Sequence, residues 1–228
     1  MAERATTATR PWRAGHLWNY VRRAPGTYLW LLTLFGTTVA LHRMSPEFAH
    51  EFLRHRSTNI HELSEHPVRV LLSSALWTDD GHWLPYAALY TLFHARAEQW
   101  LGTARWLTVC AAAHVLATLV SEGALLWAIH LGRAPHSAVD TLDTGVSYAL
   151  AGVMGVLTYR VPPPWRYAYA AVLLTAFTVP LLTGRTVTDL GHLVSVLIGL
   201  ACHPLTRPHP SPRARARACA ATRKARID

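Results

Sequence analysis

Charge is absent from long parts of this chain, and that absence limits what it can fold into. Stretches free of Asp, Glu, Lys and Arg cover residues 24–41, 106–121, 144–159, 167–184 and 190–206. Each approaches the ~17 to 20 residues that carry a helix across a hydrocarbon core. A sixth, 81–95, is shorter. It becomes long enough if the helix runs on through Arg96 and Glu98, with those groups snorkelling or turned into a bundle. Only 15% of the residues are charged and 51% are apolar, against roughly 25% charged in a soluble domain. The expectation is an all-α membrane protein with six transmembrane helices in one domain. The first stretch follows basic residues, as in a signal peptide, but its length and the later spans make it an anchor.

Orientation follows from the basic residues. With the N-terminus inside, 16 Lys and Arg fall in cytoplasmic segments and six outside, so both termini are expected in the cytoplasm. Residues 1–25 form a basic N-terminal segment, 26–204 the membrane domain with an outer loop at 43–80, and 205–228 a disordered basic tail. The Pro-, Ala- and Arg-rich tail is read as binding anionic lipid rather than nucleic acid. Cys110, Cys202 and Cys219 have neither disulfide nor metal spacing, so no metal and no cofactor is expected. The outer loop holds six acidic residues and, in HPVRVLLSSALW and WTDDGHWLPY, partly apolar pieces. It either dips into the outer leaflet or is a solvated loop. An arginine bias of 21 to one over lysine and the lack of organelle-targeting features place the protein in a bacterial plasma membrane.

Two spans carry small residues at helical spacing: Ser147, Ala151 and Gly155, with Gly145, Ala149 and Gly152, in the fourth; Gly191, Ser195 and Gly199 in the sixth. Such faces admit another backbone closely, so these spans are expected to pack together. With the N-terminus inside, Thr144 and Ser147 near the start of span four and His192 near the start of span six lie at similar depth near the outer surface. A hydroxyl beside an imidazole is the minimum for nucleophilic catalysis.

These motifs resemble those of the rhomboid intramembrane serine proteases. That family's signature is G-x-S-G opening the fourth span, H-x-x-G-x-x-x-G in the sixth, and H-x-x-x-N followed by E-x-R-x-G in and after the second. HLVSVLIG gives the sixth-span pattern with Ser195 at the first glycine. From His82, HWLPYAALYTLFHARAEQWLG places Glu98, Leu101 and Gly102 at the family's spacing, with Tyr86 at the asparagine and Gln99 and Trp100 at the basic pair. Arg69 matches the basic residue of the family's partly embedded loop, with Val68 where tryptophan is common. In the fourth span, aligning TGVSYALAG with S-G-x-x-Y-A-L-x-G matches Gly145, Tyr148, Ala149, Leu150 and Gly152 and puts Thr144 at the nucleophile. Sliding three residues makes Ser147 the nucleophile instead, with Tyr148 at the glycine.

The resemblance implies a six-helix rhomboid-like bundle over 26–204, with His82 and Tyr86 near the oxyanion or water site. Threonine's methyl crowds the attack geometry. Asp143 opposes an oxyanion, and loss of the asparagine removes a donor worth roughly 3 kcal/mol. The resulting expectation is a degenerate member, a pseudoprotease that binds transmembrane segments of other proteins. Two alternatives stand beside it. One is an active intramembrane peptidase using Thr144 or Ser147 with His192. The other is a small transporter or metal-handling protein using His94, His114, Glu122, Asp189 and His192. The bland readings are also open: Ser147 bonded to its own preceding turn, and His82 as an interfacial histidine.

Overall fold

A computed structural model describes residues 14–78, 82–184 and 186–207. The Asp-Asp-Gly turn at 79–81, Cys219 and the tail beyond 207 lie outside the described residues. Among the described residues every regular element is helical. α1 (Ala14–Arg22) precedes α2 (Pro25–His42), and three short helices follow: α3 (Pro46–Arg54), α4 (Ile60–Glu65) and α5 (Pro67–Ser74). α6 (Trp83–Leu89) passes through a π-helical turn, Tyr90–His94, into α7 (Ala95–Leu101). Then come α8 (Thr103–His130), α9 (Val146–Leu157), α10 (Trp165–Thr183) and α11 (Val187–Ala201).

All six charge-poor stretches are largely helical, but their lengths differ. α8 and α10 are long and apolar enough to cross a membrane alone. α9 and α11, with 12 and 15 residues, rise only ~18 and ~22 Å, less than the ~30 Å hydrocarbon thickness. α9 is nearly all buried and supplies residues to all three apolar clusters of the core: Ala149 and Val153 in one, Val146 and Leu150 in the second, Ala151 in the third. It is the axis around which α8, α11 and the α6–α7 helix are arranged.

Close packing holds α9 to its neighbours, since lipid is as apolar as leucine and gives helices no hydrophobic reason to associate. A Cβ on Gly199 would strike the Gly152 carbonyl, and one on Gly155 would crowd the Val196 carbonyl. The small-residue faces of the fourth and sixth stretches therefore meet backbone to backbone, and Gly152 also abuts Ala113 of α8.

A second joint ties α2, α7 and α8. α2 has no side-chain cap of its own, which would leave its first amides unsatisfied. The carboxylate of Glu98, 1% exposed, takes that place from α7. It accepts from the Gly26 and Thr27 amides at 2.9 and 2.7 Å, and from the Thr27 and Thr103 hydroxyls at 2.7 Å each. An anion at a helix N-terminus also opposes the macrodipole favourably. Gly102, at φ +83°, turns the chain between α7 and α8 in a conformation that glycine adopts freely.

Residues 43–78, expected as loop, are instead mostly helical. α3 is capped by Ser45 and α4 by Asn59, whose side chains accept from the amides three residues on, the usual N-cap geometry. The buried Glu62 carboxylate accepts from Arg69 at 2.9 Å and is bonded to His55 Nδ1. Burial pushes its pKa up, and the His55 and Arg69 interactions outweigh that, leaving it below the ordinary carboxylate value. The segment is pinned to the bundle by Trp30 Nε1, which donates to the Ala75 carbonyl at 2.8 Å. Phe48, Val68 and Leu72 point outward from it.

Candidate functional site: a polar interior at the start of α9

The chain leading into α9 is fixed before the helix begins. The Thr58 amide and hydroxyl donate to the Asp143 carbonyl at 2.9 and 3.1 Å, and the Gly145 amide donates to the Ser74 carbonyl at 3.2 Å. The short helices α3–α5 thereby set the position of Thr144, which is buried. Its hydroxyl has no hydrogen bond among the described residues.

One turn into α9, the Tyr148 hydroxyl donates to Asp143 Oδ2 at 2.7 Å. The Tyr148 ring meets His192 edge-on, with centroids 5.2 Å apart and planes at 79°. A side chain at Gly191 would strike that tyrosine, so the glycine lets α11 bring His192 to it. Phe177 of α10 packs on the imidazole too, at 5.8 Å. Asp143, Tyr148 and His192 form one connected line, and Tyr148 is a residue matched in the register that places Thr144 at the nucleophile.

No hydroxyl is hydrogen-bonded to His192 among the described residues. The Ser147 hydroxyl turns back toward the Thr144 carbonyl at 3.5 Å, the long limit of such a bond. Asp189, a candidate of the metal-handling alternative, is engaged with Thr186 in a capping box at the start of α11. His82 stands exposed just before α6. Tyr86 packs against Tyr90, whose hydroxyl donates to the Val146 carbonyl at 3.2 Å, so this aromatic pair leads to the start of α9. Ser195 is fully buried, and its hydroxyl has no partner among the described residues.

α8 contributes residues to which the sequence gave no matched role. His114, Thr118, Ser121 and Glu122 are all buried on this helix, and their spacing puts them on one face. Ser121 and Glu122 adjoin the Tyr148 hydroxyl, and Glu122 adjoins Asp143. Glu122 is 4% exposed, and its Oε2 and the Thr118 hydroxyl have no partner among the described residues. The His114 ring lies on Gly145, where any side chain would collide with it. Its Nε2 sits 2.8 Å from the Leu71 carbonyl. A carbonyl only accepts, so the neutral ring carries its proton on Nε2 and leaves Nδ1 as a bare acceptor; that nitrogen is buried and has no partner among the described residues. The signal for this face was present in the sequence as polar residues at i, i+4, i+7 and i+8 along a span.

The result is a polar interior rich in acceptors, with a buried hydroxyl at Thr144 and two imidazoles near the start of α9. The Asp143 carboxylate lowers the local potential where an oxyanion on a Thr144 adduct would need it raised. Among the described residues no three His, Cys, Asp or Glu side chains converge as metal ligands.

No curated protein and no solved structure matches this chain. A family model described as "Rhomboid-like protein" matches residues 19–212, most of the chain, including every helix of the bundle from α2 onward. Its match spans the Glu98 joint, the start of α9 and the His192 face of α11 together, and the chain belongs to the rhomboid-like family of membrane proteins.

Proposed function

We propose that this rhomboid-like membrane protein binds transmembrane helices of other proteins laterally, without cutting them. The observation that carries this reading is the state of His192. The imidazole is flanked by the rings of Tyr148 and Phe177 and is hydrogen-bonded to no hydroxyl among the described residues, while Asp143 occupies the position before Thr144. α10 supplies the docking face. Only Leu173 of this helix is buried, and Val172, Val179 and Leu182 are exposed. Pro180 removes one of its internal hydrogen bonds. In this reading the chain crosses the plasma membrane six times with both termini cytoplasmic, and the outward Phe48, Val68 and Leu72 of α3 and α5 rest in the outer leaflet.

The test is photo-crosslinking in liposomes, with a photoreactive residue at Val172 or Val179 and a labelled single-span helix. The expected product contains the full-length helix and forms equally on a His192→Ala background. Absence of crosslinking from α10, with crosslinking elsewhere, would overturn the docking face.

A second reading, an intramembrane peptidase, is favoured by one observation: the Thr144 hydroxyl is buried and has no hydrogen bond among the described residues. There His192 would take the hydroxyl proton as the oxygen attacks a peptide carbonyl, and water would release the acyl group.

A further inference from the structure

A different part of the molecule, at the opposite end of α9, has the shape and charge of an amphiphile site. The π-helical turn, α7, the end of α9 and α10 enclose a groove of about 340 Å³. Leu92, Phe93, Leu157 and Tyr169 line it, with Arg96 and Arg160 at the same groove. Tyr169 is fixed as a wall by its hydroxyl, which donates to the Met154 carbonyl at 3.0 Å. Arg160 is fixed by donating to the Arg96 carbonyl at 2.8 Å, which draws the two arginines together.

Neither guanidinium is paired with a carboxylate among the described residues, where the ion pairs lie instead around Arg54, His55, His61 and Arg69. An anion that reaches both uncompensated guanidiniums is held by charge-assisted hydrogen bonds. The groove combines an apolar lining with two cationic residues. A transmembrane helix answers the apolar lining alone; a free anion answers the arginines alone.

We propose that this groove binds an anionic phospholipid, its phosphate between Arg96 and Arg160 and an acyl chain along Leu92, Phe93 and Leu157. The site is separate from the polar interior at the start of α9 and does not depend on whether the protein cuts or only binds helices. It also differs from the electrostatic attraction of the tail, because the headgroup is held by two arginines of the bundle and the chain by a formed groove.

The experiment is native mass spectrometry of the full-length protein released from mild detergent with phosphatidylglycerol or phosphatidylcholine. Wild type is expected to retain phosphatidylglycerol in preference. Arg96→Gln/Arg160→Gln is expected to weaken that retention roughly ten- to thirty-fold, two interfacial charges' worth. Leu92→Trp, at an exposed position that leaves folding intact, is expected to lower it by filling the groove with both arginines present. Arg213→Gln/Arg215→Gln/Arg217→Gln in the tail is expected to leave it unchanged. Equal retention of the two lipids by wild type, or undiminished phosphatidylglycerol retention in the Arg96/Arg160 variant, would overturn the proposal. So would loss of retention in the tail variant alone, or displacement of the lipid by a single-span helix without any headgroup preference.

Discussion

Two buried polar regions of this protein are built on opposite plans. At the joint of α2, α7 and α8 the Glu98 carboxylate accepts four hydrogen bonds, from two amides and two hydroxyls. Between α8, α9 and α11, buried side chains end in Glu122 Oε2, the Thr118 and Ser195 hydroxyls and His114 Nδ1, none with a partner among the described residues. A buried polar group without a partner costs free energy wherever water is excluded. The first region uses polarity to fix three helices. The second leaves buried polar atoms uncommitted, and the two should respond to mutation in opposite ways.

The largest effect is expected at the saturated joint. Glu98→Ala leaves four donors without their acceptor and should lower stability by about 3–5 kcal/mol, read as a large drop in thermal unfolding temperature in detergent. Glu98→Gln, which keeps the shape but loses the charge and one acceptor, should fall between.

Next is the contact that holds α9 to α11. Gly199→Ala drives a methyl group into the Gly152 carbonyl and should cost about 1–3 kcal/mol by overpacking, measured in the same way. Ser195→Ala, one turn earlier, should be nearly neutral, because the hydroxyl it removes has no partner.

The comparison is sharpest at Glu122. Glu122→Leu exchanges an incompletely satisfied carboxylate for an apolar group, so its stability change should stay within about 1 kcal/mol and can be a gain. A loss as large as that of Glu98→Ala would show the two regions to be alike.

The smallest effect concerns pH in α3–α5. The Glu62 pKa lies below its ordinary 4.5, so its contribution is complete above that pH and is lost as pH falls through the depressed folded value. Wild type should therefore lose a fraction of a kcal/mol to about 1 kcal/mol below pH 4.5, relative to Glu62→Gln, which lacks this titration. Thermal melts of both proteins across pH 3 to 6 read the difference.

The six helical stretches and the small-residue faces were legible in the sequence, because charge exclusion and four-residue spacing are local patterns. The bond network of Glu98 was not: the residue stood at a family spacing, but its partners Gly26 and Thr27 lie more than 70 positions away. The helices of residues 43–78 were hidden by their shortness. Each is nine residues or fewer, too brief for apolar periodicity to separate from loop. At the site, Thr144, Ser147 and His192 were named from motif spacing, while His114 entered only as a candidate of the metal-handling alternative. Its apposition to Gly145 joins residues 31 apart through the crossing of α8 and α9, and no local pattern encodes that crossing.

The central claim, a rhomboid-like protein that holds helices without hydrolysing them, is tested most directly in liposomes. Purified wild type, Thr144→Ala, Ser147→Ala and His192→Ala would each be incubated with a panel of single-span substrates that an active rhomboid cuts in parallel. All four proteins are expected to leave every substrate intact. Cleavage by wild type that disappears in His192→Ala and in one of the hydroxyl variants would contradict the claim and identify the nucleophile.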